Sequence, residues 1–351
     1  MDTREASPDD NQPLQELQAR CPQGTTLVVS LVNTPDFFAR VKAYPTYRVY
    51  VTCEDDRIIG SGAVAVRDGM LDGRPCRVGY EFQAFVAPEA RRKGVAGALH
   101  RCREQYLIEQ GAALSYALTL EGNSPAMAHL EYEGFVGPHR TLVMPILHVY
   151  REMSVPPTAK IRSAERGDLP AVAELMNHTW RGCDLYEPTS AERLAAFIER
   201  TPAYTLDDLL VLESGGKVVA CLGCWDWSAI IRVSVEALNW RLRMTRVMTD
   251  VMRWFRPTPM VPRIGATLKQ GCLTPIGFAA VEHLVPLLRY VNNRALARGI
   301  EQLLWLWEPS HPLLRCLKGF FRTDVAMCLY VKPFGDSTLG GSPVFVDAID
   351  L

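Results

Sequence analysis

Alternating apolar and polar residues recur along the chain and predict two similar sets of elements. Residues 48–66 and residues 209–227 each have the pattern of a β-hairpin, in which two runs of β-branched and apolar residues flank a polar turn. Later in each half, a strand end is followed by a proline-started helix and a Gly-Phe pair, which ends at Phe135 in the first half and Phe320 in the second. We therefore expect two diverged copies of one fold.

The boundary between the copies is predicted near residue 155, where Pro156 and Pro157 follow a strand-like run. The segment after it begins like a new domain, with a short strand and then a helix that has Pro170 in its first turn. The expected organisation is a disordered tail over 1–12, a first domain over 13–154, a second domain over 155–335 and a C-terminal tail over 336–351.

Composition limits the possible classes of protein. The chain has 351 residues, of which 48% are hydrophobic and 22% charged, as in soluble proteins of two ordinary domains. A formal net charge of -1 argues against a general nucleic-acid binder. Ten scattered cysteines without a disulfide framework, a polar N-terminal stretch and the lack of a long apolar run predict a cytoplasmic protein. The histidines have no ligand spacing, so we expect no metal site.

The segment most informative about chemistry joins a strand to a helix through a basic loop. Residues 77–86 predict the strand, Arg91-Arg92-Lys93-Gly94 forms the loop, and residues 98–110 predict an amphipathic helix. Gly94 permits backbone geometry that a Cβ would block, and the unpaired N–H groups of a helix N-terminus bind anions. This arrangement indicates a phosphate-binding loop. The alternative is an ordinary turn with solvated basic residues.

An insertion of about 25 residues, judged by the unequal spacing of landmarks in the two copies, is predicted in the second half. Residues 229–263 hold seven arginines against two acidic residues, an excess of five positive charges. Apolar residues near helical spacing predict a basic amphipathic helix there. Its charged face either packs on its own domain or binds an acidic acyl carrier protein or an anionic membrane surface.

The loop Arg91-x-x-Gly94-x-Ala96 resembles the pyrophosphate-binding signature of the GNAT superfamily of acyl-CoA N-acyltransferases, (Gln/Arg)-x-x-Gly-x-(Gly/Ala). Val86 and Pro88 stand where that superfamily often has Val-x-Pro. A later run is similar to its next motif and includes Asn123, Ala126 and the pair Gly134-Phe135. The resemblance covers roughly residues 26–147.

The resemblance implies an α/β (α+β) protein of two tandem GNAT-like domains, each a mixed, mostly antiparallel twisted sheet flanked by helices. The second copy lacks the basic glycine loop, since residues 277–283 read Gly-Phe-Ala-Ala-Val-Glu-His. It therefore resembles a degenerate copy that packs against the first and completes the acceptor pocket.

The resemblance also assigns the donor site, in which coenzyme A supplies the acyl group. Backbone groups of Ala84, Phe85 and Val86 would pair with the pantetheine arm, and Asn123 and Ala126 would lie beside it. The pyrophosphate would be held by the loop and the first helical turn, which comprise Arg91, Arg92, Lys93, Gly94, Val95, Ala96 and Gly97.

Two residues are candidates for catalysis. Glu81 lies on the strand that leads to the site, where the family often has a glutamate, so it is the candidate base; burial beside Tyr80 and Phe82 is expected to raise its pKa. The alternative is a strand carboxylate that faces solvent. The tyrosine that the family uses as an acid falls at Leu130, and Tyr132 is a weak substitute because it lies about 200° further around a helix.

These features predict an N-acetyltransferase that transfers acetyl from acetyl-CoA to a primary amine by direct attack in a ternary complex. One alternative is transfer of a longer acyl chain from acyl-CoA or an acyl carrier protein. Another is a non-catalytic acyl-CoA-binding sensor or scaffold. The acceptor itself is not readable, because acceptor-binding residues lie on loops without a general signature.

Overall fold

The computed structural model describes residues 1–309 and 311–351. Its strands are β1 (Asp2–Glu5), β2 (Leu27–Asn33), β3 (Thr46–Glu54), β4 (Arg57–Leu71), β5 (Arg74–Val86), β6 (Ala112–Leu120), β7 (Val136–His148), β8 (Lys160–Ser163), β9 (Leu209–Ser214), β10 (Lys217–Gly223), β11 (Trp225–Asp226), β12 (Ile231–Leu238), β13 (Thr267–Leu268), β14 (Gln270–Cys272), β15 (Ile276–Phe278), β16 (Gln302–Leu304) and β17 (Arg322–Pro333). Its α-helices are α1 (Asn11–Ala19), α2 (Val95–Glu109), α3 (Ser124–Tyr132), α4 (Leu169–Thr179), α5 (Ala191–Arg200), α6 (Trp240–Met252) and α7 (Leu284–Ala297).

A ten-stranded sheet extends through both halves of the chain, in the order β1-β3-β4-β5-β6-β17-β7-β16-β14-β11. Its β5–β6 and β14–β16 pairs are parallel, whereas its other pairs among the described residues are antiparallel. Two smaller sheets have the orders β15-β10-β9-β8 and β13-β12-β2. The expected mixed, mostly antiparallel architecture flanked by helices is confirmed.

Both predicted hairpins form where the alternating patterns lie. Strands β3 and β4 are joined through Asp55 and Asp56, whose backbones have φ of 49° and 60°, as a tight hairpin turn requires. Strands β9 and β10 pair from Lys217 opposite Ser214 onward. The two strands of each hairpin pair with each other across a short turn, so the alternation of apolar and polar residues within a short segment is enough to predict them.

The two halves share one sheet across the boundary expected near residue 155. Strand β17 lies between β6 and β7, and β7 pairs on its other edge with β16 of the second half. Without β17, the edge of β6 would expose a row of unpaired N–H and C=O groups. The final strand of the second half therefore completes the sheet of the first half.

Both segments expected to be tails, the disordered tail over 1–12 and the C-terminal tail over 336–351, pack on the fold. Strand β1 pairs with β3 through all four of its residues, and Arg4 donates hydrogen bonds of 2.7 and 2.8 Å to the carboxylate of Asp10. At the other end, Val344, Val346 and Ile349 are buried in the protein core. These side chains are apolar, and their burial lowers the free energy of the folded chain because it removes apolar surface from water. The segment therefore packs on the core instead of remaining solvated.

The arginine-rich insertion is only partly helical. It opens with strand β12, which pairs with β2 of the first half, and helix α6 follows from Trp240. Residues of β12 alternate between buried and exposed positions, as in a strand with one face on a core. The prediction of a helix over residues 229–263 thus holds for α6 and is wrong for the residues before Trp240 and after Met252.

Among the described residues, no helix has both the length and the apolar content needed to cross a bilayer. All ten cysteines are free thiols.

Candidate functional site

The basic loop lies between β5 and α2. Arg92 and Gly94 adopt left-handed backbone conformations, with φ of 63° and 82°, and α2 begins at Val95, three residues earlier than expected. No side chain caps the N-terminus of α2, and a Cβ at Gly94 would meet no atom within 4 Å. The first N–H groups of α2 are thus open to an anion, beside the exposed side chains of Arg91 and Lys93.

A gap opens between β5 and β6 next to this loop. The two strands pair in parallel only as far as Glu81 opposite Ala117, after which β5 runs on to Val86 against β4, and β6 runs on to Leu120 against β17. The edge of β5 that carries Ala84 and Phe85 is therefore not paired with β6. An extended polar chain such as pantetheine fits an unpaired strand edge of this kind.

Gln83 marks the same point with an unusual side chain. Its backbone has φ of 49°, and the β4–β5 register shifts between Ser61 and Ala63, opposite this part of β5. The side chain is only 7% exposed, yet neither atom of its amide has a hydrogen-bond partner among residues 1–309 and 311–351. Because an unpaired buried amide is costly, Gln83 has hydrogen-bonding capacity that the described residues do not use, at the residue before the unpaired edge of β5.

Asn123 and Ala126 lie at the same end of the sheet as the loop. Since β5 and β6 are parallel, the segments that follow them leave the same edge of the sheet, and Asn123 directly precedes α3. Its side chain does not cap that helix, and both residues are partly exposed. The structure thus brings the predicted donor-site residues to one edge.

Glu81 lies in a buried ion-pair network on the side of the sheet that α2 covers. It is 6% exposed, and its Oε2 lies 3.0 Å from Nδ1 of His100 and 3.0 Å from Nε of Arg103. Burial opposes the charged carboxylate, but Arg103, His100 and Lys332 outweigh burial and lower its pKa. The expectation of a raised pKa, and the alternative of a solvent-facing carboxylate, are both wrong.

The second oxygen of Glu81 has different surroundings. Oε1 is buried and has no hydrogen-bond partner within the described part of the chain. Oε2 is therefore held by Arg103 and His100, while Oε1 has unused capacity to accept a proton or a hydrogen bond. This geometry is compatible with a base, whose identity stays a prediction.

Lys332 extends the network to the exchanged strand β17. Its ammonium donates a 2.7 Å hydrogen bond to the carbonyl oxygen of Glu133, lies 3.1 Å from Nε2 of His100, and forms an ion pair with Glu104. Donation from Lys332 to Nε2 places the imidazole proton on Nδ1, which then donates to Glu81. The second half of the chain thus helps to orient the candidate base.

Gly62 makes this network possible. A Cβ at Gly62 would clash with the guanidinium of Arg103, which lies over this point of β4. The position of the Arg103 guanidinium over β4 therefore depends on a residue without a side chain.

Tyr132 does not lie in the site. It is 86% exposed, at the last position of α3. Leu130, the position where the family has its tyrosine, packs instead against a buried cluster that includes Phe135 and Tyr330. The structure therefore gives no support to Tyr132 as the acid that protonates the thiolate.

The opposite face of the sheet carries aromatic rings and a carboxylate that the sequence did not reveal. Tyr80 stacks on Tyr116 with ring centroids 4.8 Å apart. Asp350 accepts hydrogen bonds of 2.8 Å from Tyr44, 2.8 Å from Tyr116 and 3.1 Å from Arg67. No sequence signal points to Asp350, because it lies in a segment without a motif.

Asp347 lies nearby and is less completely satisfied. Burial and the neighbouring Asp350 raise its pKa to about 6. Its Oδ1 accepts a 3.1 Å hydrogen bond from the backbone N–H of Ile349. This carboxyl therefore titrates close to neutral pH.

A cavity of about 170 Å³ lies between the second half and the C-terminal segment. Its walls include the rings of Trp180, Trp307 and Phe345. The indole N–H of Trp307 is buried and has no acceptor among the residues that the structure describes. The lining of the cavity is therefore mainly apolar and aromatic.

The second half has no counterpart of the basic loop. Residues 279–283, which connect β15 to α7, contain neither arginine nor lysine. The described residues also contain no group of three or more His, Cys, Asp or Glu side chains arranged to hold a metal ion.

Comparison with known proteins agrees with this geometry. Residues 12–135 match the model of the acetyltransferase (GNAT) family. A search of curated protein sequences finds no match.

Solved structures with the same fold include two-lobed transferases. N-myristoyltransferase of Saccharomyces cerevisiae with bound myristoyl-CoA superposes with a TM-score of 0.67 at 11% sequence identity, over 100% of this chain and 84% of that one. A GCN5-related N-acetyltransferase from Anabaena variabilis has a TM-score of 0.52 at 13% identity, over 94% of this chain and 72% of that one. A probable N-acyltransferase from Enterococcus faecalis has a TM-score of 0.52 at 10% identity, over 95% and 72%. At these identities the likeness concerns the fold.

Proposed function

We propose that this chain, whose residues 12–135 form a GNAT-family domain, transfers an acyl group from acyl-CoA to a primary amine by direct attack in a ternary complex. The simplest donor is acetyl-CoA, which makes the protein an N-acetyltransferase. The observation that carries the proposal is the gap between β5 and β6, which opens beyond Glu81 beside a basic loop and an uncapped helix N-terminus.

The donor fits this gap part by part. The pyrophosphate binds the first N–H groups of α2 and the cations of Arg91, Arg92 and Lys93, because a helix N-terminus and positive side chains both favour an anion. The pantetheine amides pair with the free edge of β5 at Ala84, Phe85 and Val86 and lie beside Asn123 and Ala126. The amide of Gln83 supplies a further hydrogen bond to the bound donor.

In the chemical step, the amine nitrogen attacks the thioester carbonyl carbon and the coenzyme A thiolate leaves. The attacking amine must lose a proton, and Oε1 of Glu81 is the candidate acceptor for it. His100 and Arg103 act as positioning residues, since they hold Oε2 and orient the carboxylate.

Transfer of a longer acyl chain is a second candidate. Its support is the similarity of the entire chain to N-myristoyltransferase with bound myristoyl-CoA, at a TM-score of 0.67 compared with 0.52 for the acetyltransferase. Both candidates use the same loop and the same gap, and they differ only in the length of the acyl group.

Calorimetric titration with acetyl-CoA, octanoyl-CoA and myristoyl-CoA tests the donor. We expect one site per chain, abolished in Gly94→Trp, because the indole would occupy the phosphate-binding loop. Gly111→Trp is the matched control, since Gly111 follows α2 at its other end and likewise combines positive φ with open space. Two sites per chain, or equal affinity in both variants, would contradict the proposal.

Release of free coenzyme A in the presence of amine acceptors then tests catalysis. We expect Glu81→Gln to lose at least about 100-fold in turnover, the usual scale of general-base catalysis, while its donor affinity stays within threefold of the wild type. Donor binding without turnover on any primary amine, peptide or protein acceptor would identify a sensor instead of an enzyme.

A further inference from the structure

Helix α6 presents an exposed stripe of large apolar side chains. None of its residues is buried, although most of the chain's other large apolar side chains are. We call these residues the apolar stripe: Trp240, Met244, Val247, Met248, Val251, Trp254 and Phe255. Trp254 and Phe255, just beyond the end of the helix, are 89% and 85% exposed.

The spacing places these residues along one side of the helix. Successive members lie three or four positions apart at Trp240, Met244, Val247 and Val251, which is the spacing of neighbours on an α-helical surface. The chain continues in turns past Met252, and the backbone N–H of Trp254 donates to the carbonyl oxygen of Val251. Trp254 therefore stays on the same side as the helical members of the stripe. The stripe is therefore a continuous surface.

The helix lies with this side turned outward. The partly buried residues of α6 include Leu242, Arg246, Thr249 and Asp250, which fall on the opposite side of the helix. Arg246 and Arg253 lie within 3.7 Å of Asp250, so the only acidic residue of the helix is neutralised on that inner side. The usual arrangement, in which the apolar side packs on the core, is reversed.

Positive charge borders the stripe. Arg241 and Arg243 are exposed on its two edges, and Arg256 follows its end. The guanidinium of Arg241 lies 5.5 Å from the ring centroid of Trp240, which keeps the cation next to the apolar surface. The partner that covers the stripe must therefore be both apolar and negatively charged.

We propose that α6 binds an anionic lipid surface, with its axis in the plane of the membrane and the apolar stripe inserted at the headgroup boundary. Tryptophans at both ends of the stripe suit a membrane interface, where aromatic rings with a polar edge accumulate. The arginines along its edges reach lipid phosphates and carboxylates. A helix of 13 residues, about 20 Å long, lies on a bilayer without crossing it.

Co-sedimentation of the full chain with vesicles tests this surface. We expect at least tenfold stronger binding to phosphatidylcholine vesicles that contain 30% phosphatidylserine than to phosphatidylcholine alone, and weaker binding as salt is raised. Tryptophan fluorescence should shift to shorter wavelength on binding, because Trp240 and Trp254 leave water.

Two variants separate the apolar contribution from charge. Val247→Asp places a carboxylate in the stripe, whereas Thr245→Asp places the same charge on an exposed position of the same helix outside it. We expect Val247→Asp to bind anionic vesicles at least tenfold more weakly than Thr245→Asp. Both variants should keep the wild-type affinity for acyl-CoA, which shows that they fold.

Three outcomes would overturn the proposal. They are the absence of vesicle binding, equal binding by the two variants, and a concentration-dependent dimer in sedimentation velocity that Val247→Asp dissociates. The last would show that a second copy of the chain covers the stripe. Binding of an acidic acyl carrier protein in the absence of vesicle binding would assign the surface to that partner instead.

Discussion

The carboxylate of Asp350 accepts a 2.8 Å hydrogen bond from the hydroxyl of Tyr116, although 234 positions separate the two residues in the chain. Tyr116 lies on β6, at the centre of the first half's sheet, and Arg67 on β4 forms a buried ion pair of 3.1 Å with the same carboxylate. The C-terminal segment is therefore an integral part of the core of the first half.

Replacing Asp350 by asparagine should destabilise the protein. The change leaves the buried guanidinium of Arg67 without its counter-charge, and breaking a buried pair in this way costs about 3–5 kcal/mol in the free energy of unfolding. Urea denaturation followed by circular dichroism measures it. Glu199→Gln, which removes an exposed partner of Arg166, is the control and should change stability by less than about 1 kcal/mol. An Asp350→Asn protein as stable as this control would contradict the role of Asp350.

The strand exchange predicts that neither half folds alone. Residues 1–154 lack β17, so β6 and β7 lose the strand between them and expose unpaired edges. We expect this fragment to aggregate when expressed by itself and to become soluble when co-expressed with residues 155–351. Size-exclusion chromatography and amide hydrogen exchange test this. A monomeric 1–154 fragment with protected amides in β6 would argue for independent domains.

The unpaired amide of Gln83 predicts opposite effects on stability and binding. Gln83→Met removes a buried polar group that has no partner, so the free energy of unfolding should stay the same or rise by about 1 kcal/mol. Affinity for acyl-CoA should fall about tenfold, because the ligand loses a hydrogen bond. Thermal unfolding and calorimetry measure the two effects. Gln105→Met, on the exposed side of α2, should change neither, and a destabilised Gln83→Met with unchanged affinity would make the amide structural.

The lowered pKa of Glu81 predicts how activity depends on pH. Its carboxylate is held in the ionised form, so a reaction that uses it as the base should keep its Glu81-dependent activity down to about pH 4.5, the ordinary value for this group. Profiles of kcat/KM for two acceptors with different amine pKa values test this, since a limb that shifts with the acceptor belongs to the amine. The pKa of Glu81 would instead be raised, as the sequence alone suggested, if kcat/KM fell between pH 6 and 7 for both acceptors alike and Glu81→Gln removed this fall.

Asp347 has the opposite shift and the opposite effect on stability. Its pKa rises from 3.8 to about 6, so the folded protein binds more protons than the unfolded chain between these pH values. Stability from this group is therefore present below about pH 4 and is lost as pH rises through about 6. Asp347→Asn keeps the oxygen that accepts from Ile349 and removes the titration. At pH 7 we expect the variant to be more stable than the wild type by up to about 3 kcal/mol, and at pH 4 by less than about 1 kcal/mol. The assignment would be contradicted if the melting temperatures of the wild type and of Asp347→Asn changed with pH in the same way.

Much of the candidate donor site was predictable because its parts are adjacent in sequence. The strand, the basic loop with Gly94 and the helix that follows it lie within residues 77–110, and their geometry depends on backbone preferences that each residue carries locally. The paired hairpins were predictable for the same reason. The position of Glu81 on β5 was also evident, whereas the sign of its pKa shift was not.

The amino-acid sequence by itself determined the two hairpins and the basic loop before α2, since alternation, turn residues and helix starts act over a few neighbouring positions. Only the tertiary structure decided that β17 lies between β6 and β7, that Lys332 and Arg103 reach the surroundings of Glu81, and that Asp350 lies beside Tyr116. These contacts join residues far apart in the chain. After the local elements have formed, some strand edges and buried charges still lack partners, and these long-range contacts supply them. The pattern of neighbouring residues does not show which distant residue becomes the partner.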